Sequence, residues 1–359
     1  MWLDCCDFKS QRHYSQHKGK NILDRQLIPV YVGNMKPPKT LLQAIKFFAE
    51  YENCRQFMIA IRWADGQVRC PVCDATKLGY IESERVYRCY ANHPRKKFSL
   101  KVGTVMEDSP IGLDKWLPVM WMMVNCKNGI SSYEVARAIG VTQKSAWFML
   151  HRVRTSLKDD ATQIKIDGDG GPIEVDETFI GGKYQNMHRS RRQGLGNGMK
   201  ADRGKAIVMG MLERDVRKVR AKVIPDVTRE TLQNEILNQI EKKSTVYTDG
   251  ATGYDRLKIN DFVHETVTHV EEYVRGQVHT QGIENFWSLL KRGLKGTYVA
   301  VEPFHLDAYV DEQVFRYNNR ATRDNPLEDS DRFVLAVSQI VGKRLTYAEL
   351  TGKVGETAF

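Results

Sequence analysis

The hydrophobic pattern divides the chain into a helical first part and a second part in which strands and helices alternate. Apolar residues recur at helical spacing over residues 40–62, which predicts one or two short helices. A strongly apolar helix is predicted over 110–127, and two helical segments flank Gly140 within 129–156. From about residue 172 to 320, strand-like alternation and helical periods follow each other, which is typical of an α/β domain.

The same pattern predicts where the parts of the chain begin and end. Residues 66–103 are turn-rich and carry paired cysteines, whereas 181–205 is a weakly apolar insertion rich in glycine and arginine, typical of a loop. We expect five parts: a flexible basic tail (1–39), a helix with the paired cysteines (40–108), a helical domain (109–160), an α/β domain (165–345) and a tail (346–359).

Charge and cysteine content narrow the class of protein. Lysine and arginine outnumber aspartate and glutamate by 54 to 44, and the resulting charge of +10 favours polyanionic partners such as nucleic acid. The seven cysteines are odd in number and do not resemble a disulfide framework. The first residues lack the apolar core of a secretory signal, and the longest apolar run, 116–124, is too short to cross a bilayer. We therefore expect a soluble, cytoplasmic protein.

Four potential metal ligands occur in two short pairs. Cys70 and Cys73 form a CxxC pair, and Cys89 and His93 complete the spacing C-x2-C-x15-C-x3-H. Three thiolates and one imidazole at this spacing can surround a tetrahedral Zn²⁺ and leave no open position, so we predict a structural zinc site in a zinc ribbon. Two alternatives stay open: buried cysteines beside a surface histidine, and a redox CxxC, although no thioredoxin-like strand and helix surround the pair.

Residues 130–154 have the pattern of a helix-turn-helix. A first amphipathic helix ends at Gly140, and Thr142 is a typical N-cap for a second helix. The exposed start of that second helix is where a helix-turn-helix reads the edges of DNA bases. The residues expected to contact DNA there are Gln143, Lys144 and Ser145. A plain pair of antiparallel helices within a helical domain is the alternative.

Two predicted strands carry an aspartate in matching contexts. Residues 173–182 alternate like a strand, contain Asp176 among apolar neighbours and stop at a glycine pair. Residues 245–250 form a second short strand that ends with Asp249 and a glycine. Because a carboxylate among apolar neighbours costs several kcal/mol unless it is paired or bound to metal, the two aspartates indicate a shared metal site. We expect the neighbouring Glu174 and Glu177 to point to the opposite face, with Glu177 able to assist from there.

A third acid lies on a predicted helix that begins near residue 281. Its apolar residues form one stripe, whereas Glu284 and Lys291, seven residues apart, share another face of the helix. Glu284 would reach the metal, while Lys291 and Arg292 would meet the phosphate backbone.

The order of the elements completes the prediction. Between residues 173 and 292 the pattern reads β(Asp)-β-β-α-β(Asp)-α-β-α(Glu), which is the order of an RNase H-like fold with the three acids at one edge of its sheet. Two metal ions held there can activate a water or a 3′-hydroxyl and stabilise the leaving oxygen of an in-line phosphoryl displacement. Taken singly, Asp249 could be a turn former and Glu284 a solvated helix residue.

In these motifs the chain resembles bacterial insertion-sequence transposases that have an N-terminal zinc ribbon and an RNase H-like Asp-Asp-Glu domain. The resemblance covers residues 40 to about 345, and the segments that carry it are 70–73, 98–104, 175–183, 279–288 and 317–320. It implies dependence on Mg²⁺ or Mn²⁺, binding to terminal inverted repeats, and action as a homo-oligomer on paired DNA ends. Some relatives have asparagine as the third ligand, so Asn285 is the rival of Glu284.

We therefore expect a DNA transposase that works in the bacterial cytoplasm, on the nucleoid. Two other functions remain open. One is a DNA-binding regulatory relative that no longer transposes, which the three intact acids argue against. The other is an RNase H-like nuclease or resolvase, which would hydrolyse DNA without joining it to a target.

Overall fold

The computed structural model describes residues 37–158, 165–169, 171–182, 184–190, 204–249, 252–254, 262–267, 278–323 and 325–353. The predicted tail over 1–39, apart from its last three residues, and most of the predicted loop over 181–205 lie outside the described residues. The helices are α1 Leu41–Ala49, α2 Tyr51–Arg62, α3 Leu113–Asn125, α4 Ser132–Ile139, α5 Gln143–Leu157, α6 Arg229–Gln239, α7 Gln281–Gly293, α8 Leu306–Asn318, α9 Asp329–Ser338 and α10 Tyr347–Leu350. The strands are β1 Leu78–Ile81, β2 Val86–Cys89, β3 Lys97–Phe98, β4 Ile173–Ile180, β5 Ala206–Glu213, β6 Lys218–Ile224, β7 Thr245–Asp249 and β8 Val263–Val267.

One hydrophobic core joins the N-terminal helices with a helix from the far end of the chain. Helix α3 is buried along almost its whole length, as its apolar sequence predicts. Phe333 of α9 packs against Phe48, Phe57 and Trp121, with ring centroids 5.6, 5.5 and 5.1 Å away. Residues 40–108 and 109–160, which we expected to be separate parts, therefore share one hydrophobic core. Helix α9 packs in this core as well, although its residues lie within the range expected for the α/β domain.

The second half of the chain folds around a five-stranded mixed sheet with the strand order β6-β5-β4-β7-β8. Strands β4, β5 and β6 are antiparallel neighbours, whereas β4, β7 and β8 run parallel. Helix α6 covers one face of the sheet, and α7 with α8 covers the other. This is the RNase H-like arrangement that the order of the elements predicts, preceded by a zinc ribbon and by helices. No helix among the described residues is both long and apolar enough to span a bilayer.

Side chains of α8 satisfy the outer edge of the sheet at β6. The Asn318 amide accepts a hydrogen bond from the backbone N–H of Val219 (2.8 Å) and donates one to the carbonyl of the same residue (2.9 Å). Asp307 accepts from the backbone N–H of Val223 (2.9 Å). An open strand edge would offer a template for unwanted pairing, so these contacts close it. They also give a structural role to Asn318 in the segment 317–320.

A buried ion network fastens α5 to the α/β domain. Glu312 of α8 accepts a hydrogen bond from Arg154 of α5 (2.7 Å), and also binds Arg316 and the hydroxyl of Tyr298. Burial alone would raise the pKa of Glu312, but the two guanidinium groups outweigh it and hold that pKa below its usual range. The carboxylate therefore stays charged in the interior.

Candidate functional site

The four predicted zinc ligands come together in the structure. Their ligand atoms all lie within 4.8 Å of one another. The sulfur atoms of Cys73 and Cys89 are 3.6 Å apart, and Cys70 Sγ is 3.5 Å from Nε2 of His93. With Zn–S bonds of about 2.3 Å, the sulfur atoms of a tetrahedral site lie about 3.8 Å apart, so the cluster has the size of a zinc site.

Local turns and strand pairing put these ligands in place. Cys70 and Cys73 lie on a tight turn in which Asp74 donates its backbone N–H to the Cys70 carbonyl (2.9 Å). Cys89 ends β2, which pairs with β1 on one side and β3 on the other. The hairpin between the ligand pairs therefore returns the chain to the first turn, as the x15 spacing predicts. Structural zinc is supported by this geometry, and the role of each ligand stays a prediction.

The two helices predicted over residues 130–154 are present and are joined by a short turn, which fits both a helix-turn-helix and a plain helix pair. Ser131 and Glu134 form a capping box at the start of α4, and α4 ends at Gly140, which is left-handed with φ 64° and ψ 55°. Thr142 caps α5 by accepting the backbone N–H of Ser145 (3.1 Å). Gly140 and Thr142, which the sequence indicates as helix boundaries, therefore account for the end of α4 and the start of α5.

The residues expected to read DNA lie at the start of α5, and each has a partner within the chain. Gln143 donates to the Ser132 hydroxyl (2.8 Å), and the Ser145 hydroxyl lies 2.8 Å from that of Thr142. The Lys144 ammonium lies 5.0 Å from the centroid of the Tyr347 ring. All three of these contacts are within the chain, so base recognition by Gln143, Lys144 and Ser145 stays a prediction.

The C-terminal segment that includes α10 packs along α5, which the sequence did not indicate. The Tyr347 ring meets Phe148 edge to face, with centroids 5.6 Å apart. Arg152, one turn further along α5, donates to the carbonyl of Leu345 (3.1 Å). One side of α5 is therefore covered beyond its first turn.

Strand pairing brings the two aspartates side by side. Strands β4 and β7 run parallel, with Ile173 opposite Val246 and Glu174 opposite Tyr247. Continuing this register by two residues places Asp176 beside Asp249, at the end of β7. Asp176 lies on the sheet face covered by α7, because the Trp287 indole N–H donates to its Oδ2 (2.9 Å).

The electrostatics of Asp176 show that several acids share this region. Burial raises the pKa of Asp176 to about 6; the hydrogen bond from Trp287 opposes this, and the negative charges of Asp249 and Glu284 add to it. The negative charges of Asp249 and Glu284 therefore both act on Asp176.

Helix α7 carries the third acid and two cations. Glu284 lies in its first turn, where the Thr280 hydroxyl donates to Oε1 (3.1 Å). Burial lowers the pKa of Lys291; the charge of Asp176 opposes this, while other lysines add to it. Glu284, Trp287 and Lys291 are three and four residues apart, so they share the face of α7 that meets Asp176. Asn285 is one position round the helix, and Arg292 is exposed in the last turn.

The acids that flank Asp176 lie on different faces. Glu177 lies on the opposite face, as expected; burial raises its pKa to about 7, with Tyr254 opposing and Asp176 and Asp249 adding to the shift. The expectation was wrong for Glu174, which contacts α7 on the same face as Asp176. The physical reason is that side chains two residues apart in a strand point the same way.

The comparisons with known proteins agree with this architecture. The family model described as ISXO2-like transposase domain matches residues 169–318, and the one described as transposase zinc-ribbon domain matches residues 51–91. A protein described as uncharacterized in transposable element ISH50, from Halobacterium salinarum, is 29% identical over 262 residues, covering 70% of this chain and 86% of the relative. An uncharacterized transposase-like protein of Haemophilus influenzae is 32% identical over 102 residues, covering 28% of this chain and 82% of the relative.

Among solved structures, a chain of the simian T-cell lymphotropic virus intasome, determined with the PP2A regulatory subunit B56 gamma, covers 57% of this chain and 70% of its own length. Its identity is 13% and its TM-score is 0.28. The chain thus shares two matched domains with transposase families and is similar in sequence to two relatives from transposable elements or described as transposase-like. Together they show that the chain belongs to the insertion-sequence transposases with a zinc ribbon and an ISXO2-like transposase domain.

Proposed function

We propose that this transposase binds the terminal inverted repeats of an insertion sequence, cleaves the DNA strands there and joins them to target DNA. The observation that carries the proposal is the parallel register of β4 and β7, which sets Asp176 beside Asp249 on the face where α7 presents Glu284. The negative charges of Asp249 and Glu284 both act on Asp176, and acids from two strands and one helix are a donor set of the kind that metal-dependent phosphoryl transfer uses.

The donor set fits divalent magnesium or manganese. Both ions prefer carboxylate oxygens, and the repulsion that helps to raise the pKa of Asp176 is relieved by a bound cation. When bound, two such ions supply an activated oxygen nucleophile and neutralise charge on the leaving oxygen. Trp287 orients the Asp176 carboxylate through its indole N–H. Glu284 is favoured over Asn285 as third ligand because it shares a helix face with Trp287 and Lys291.

The cations near these acids provide contacts for a DNA backbone. Lys291 and Arg292 lie in the last turn of α7, and Lys295 follows in the next turn. Lysine and arginine displace condensed counterions when they bind phosphate, so binding at this face should weaken steeply with salt. In this scheme the zinc cluster keeps a structural role, and the start of α5 supplies sequence-dependent contacts.

Incubation of the full chain with a supercoiled plasmid that carries the element ends, in Mg²⁺ or Mn²⁺, tests the proposal. We expect cleavage at the ends and joining of a pre-cut end to target DNA. Asp176→Asn, Asp249→Asn and Glu284→Gln should each abolish both reactions while end binding persists. Hydrolysis without joining would instead identify a nuclease, and end binding without cleavage by folded wild-type protein would identify a regulator. Full activity of Glu284→Gln with loss in Asn285→Ala would reassign the third ligand.

Action as a homo-oligomer on paired ends is part of the same proposal. A transposase that joins both ends of an element must hold two ends at once, and a second copy of the chain provides the second site. Mass photometry of the protein with DNA ends should show two chains or more in each complex. A complex of one chain with one end that still completes joining would contradict this.

A further inference from the structure

Glu174 is a buried carboxylate to which the proposed chemistry gives no role. Its side chain is 0% exposed, and it lies on β4 two residues before Asp176, on the same face of the sheet. A buried charge is strongly unfavourable unless it is paired and hydrogen-bonded. Its partners therefore indicate what the residue does.

The first partner is the start of the helix that carries Glu284. Glu174 Oε2 accepts the backbone N–H of Ile283, at 2.8 Å. Ile283 is the third residue of α7, where backbone N–H groups have no acceptor within the helix and carry partial positive charge. The carboxylate therefore caps α7 from a neighbouring strand, through a contact that spans 109 positions of the chain.

The second partner is Arg214, which follows β5. Its Nε donates to Glu174 Oε1 (2.8 Å), and its Nη2 donates to the carbonyl of His279 (2.7 Å) and lies 2.8 Å from the ring Nδ1. The guanidinium carbon lies 5.0 Å from the centroid of the Tyr247 ring, on β7. Arg214 thus ties the segment entering α7 to Glu174 and to the two strands that carry the aspartates.

Glycine at position 282 allows this close approach. A Cβ added there would lie 2.8 Å from Glu174 Oε2 and 3.1 Å from Leu212 Cδ2, closer than ordinary van der Waals contact. The first turn of α7 is therefore pressed directly onto the carboxylate, and Glu284 follows the capped Ile283 by one residue.

We propose that Glu174, held by Arg214, is a positioning residue that sets where Glu284 stands relative to Asp176, and thereby sets the divalent-metal affinity of the site. This inference rests on the proposed function, because it takes Asp176 and Glu284 as metal ligands. Outer-shell partners of metal ligands typically change metal affinity or activity by about 10- to 100-fold when they are lost.

The test compares Glu174→Gln, which keeps an acceptor oxygen, with Glu174→Met, which removes it. Glu235→Gln is the matched control, because Glu235 also forms a salt bridge, with its Oε1 2.8 Å from Nζ of Lys222, on the far side of the sheet. Mn²⁺ binding to the full chain is measured by calorimetry, with Asp176→Asn defining the signal of the site. The Mn²⁺ concentration for half-maximal strand transfer, the affinity for end DNA and the unfolding temperature are measured alongside.

We expect Glu174→Met to weaken Mn²⁺ binding at the site by about tenfold or more, as for lost outer-shell partners. Glu174→Gln should weaken it less, because its amide oxygen still accepts the Ile283 N–H. End-DNA affinity should stay unchanged, and Glu235→Gln should bind Mn²⁺ like wild type. A merely structural role would lower the unfolding temperature of Glu174→Met without changing the Mn²⁺ affinity of the folded protein, and that result would overturn the inference. If wild type binds Mn²⁺ at the site but joins no DNA, the proposed function fails while the positioning role is still decided by the binding data.

Discussion

Gly210 provides a direct test of how tightly α7 must seat on the sheet. It lies in β5 directly opposite Asp176 in the antiparallel register with β4. A Cβ added at this position would lie 2.6 and 2.7 Å from two ring carbons of Trp287 and 2.9 Å from Ile283 Cδ1. Glycine is weak in a strand interior, so its presence here marks a close approach of α7 to the sheet.

The size of the effect of Gly210→Ala follows from these distances. Carbon atoms rest about 3.5–4.0 Å apart, so the Trp287 ring must retreat by roughly 1 Å. Overpacking of this kind costs about 1–3 kcal/mol of folding free energy. A retreat of that size breaks the 2.9 Å hydrogen bond from Trp287 to Asp176 and shifts α7 with Glu284. A misplacement of about 1 Å can cost about 100-fold in rate, so we expect a loss of that order in strand transfer.

The assay is the single-turnover rate of strand transfer at saturating end DNA and Mn²⁺, with DNA affinity and thermal unfolding measured on the same preparations. Gly296→Ala is the matched control, because a Cβ there meets nothing within 4 Å among the described residues. We expect Gly210→Ala to bind DNA normally, unfold at a lower temperature and transfer strands far more slowly. A wild-type rate with an unchanged unfolding temperature would refute the close seating of α7.

Three further predictions concern groups away from the proposed chemistry. Cys73→Ser should lower the zinc content from about one ion per chain to near zero in elemental analysis, because one of four ligands is lost; a metal-free folded wild type would contradict the zinc site. Glu312→Gln should cost about 3–5 kcal/mol in urea unfolding, because Arg154 is left buried and uncompensated, and adding Arg154→Met should recover part of that loss; an unchanged free energy of unfolding would show that the pair is not buried. Burial, with the charges of Arg154 and His305, lowers the pKa of His151 to about 2, so the unfolded chain binds a proton below about pH 6.5 that the folded chain does not. The free energy of unfolding therefore falls as the pH drops below about 6.5. His151→Phe should lose about 2 kcal/mol less of this free energy than wild type between pH 7.5 and pH 5. Equal losses in both proteins would exclude His151 as the cause.

The local parts of this molecule could be predicted from the sequence. The CxxC turn and its second pair are closed by one hairpin, so spacing alone indicates a cluster that the structure assembles. The helix ends at Gly140 and Thr142 follow from capping residues next to them in the chain. The strands that carry Asp176 and Asp249 were recognised because alternation and a terminal glycine are short-range signals.

Contacts between distant segments were decided by the tertiary structure. The packing of α9 in the N-terminal core, and of the C-terminal segment that includes α10 on α5, depends on which surfaces meet after folding, and no local pattern encodes that choice. Position 174 shows the same limit, because its partners Arg214 and Ile283 lie 40 and 109 positions away. The sequence by itself determined which elements carry the predicted metal ligands. Only the fold determined how those elements are held against one another, because that depends on burial and hydrogen bonding between chain segments that are remote in sequence.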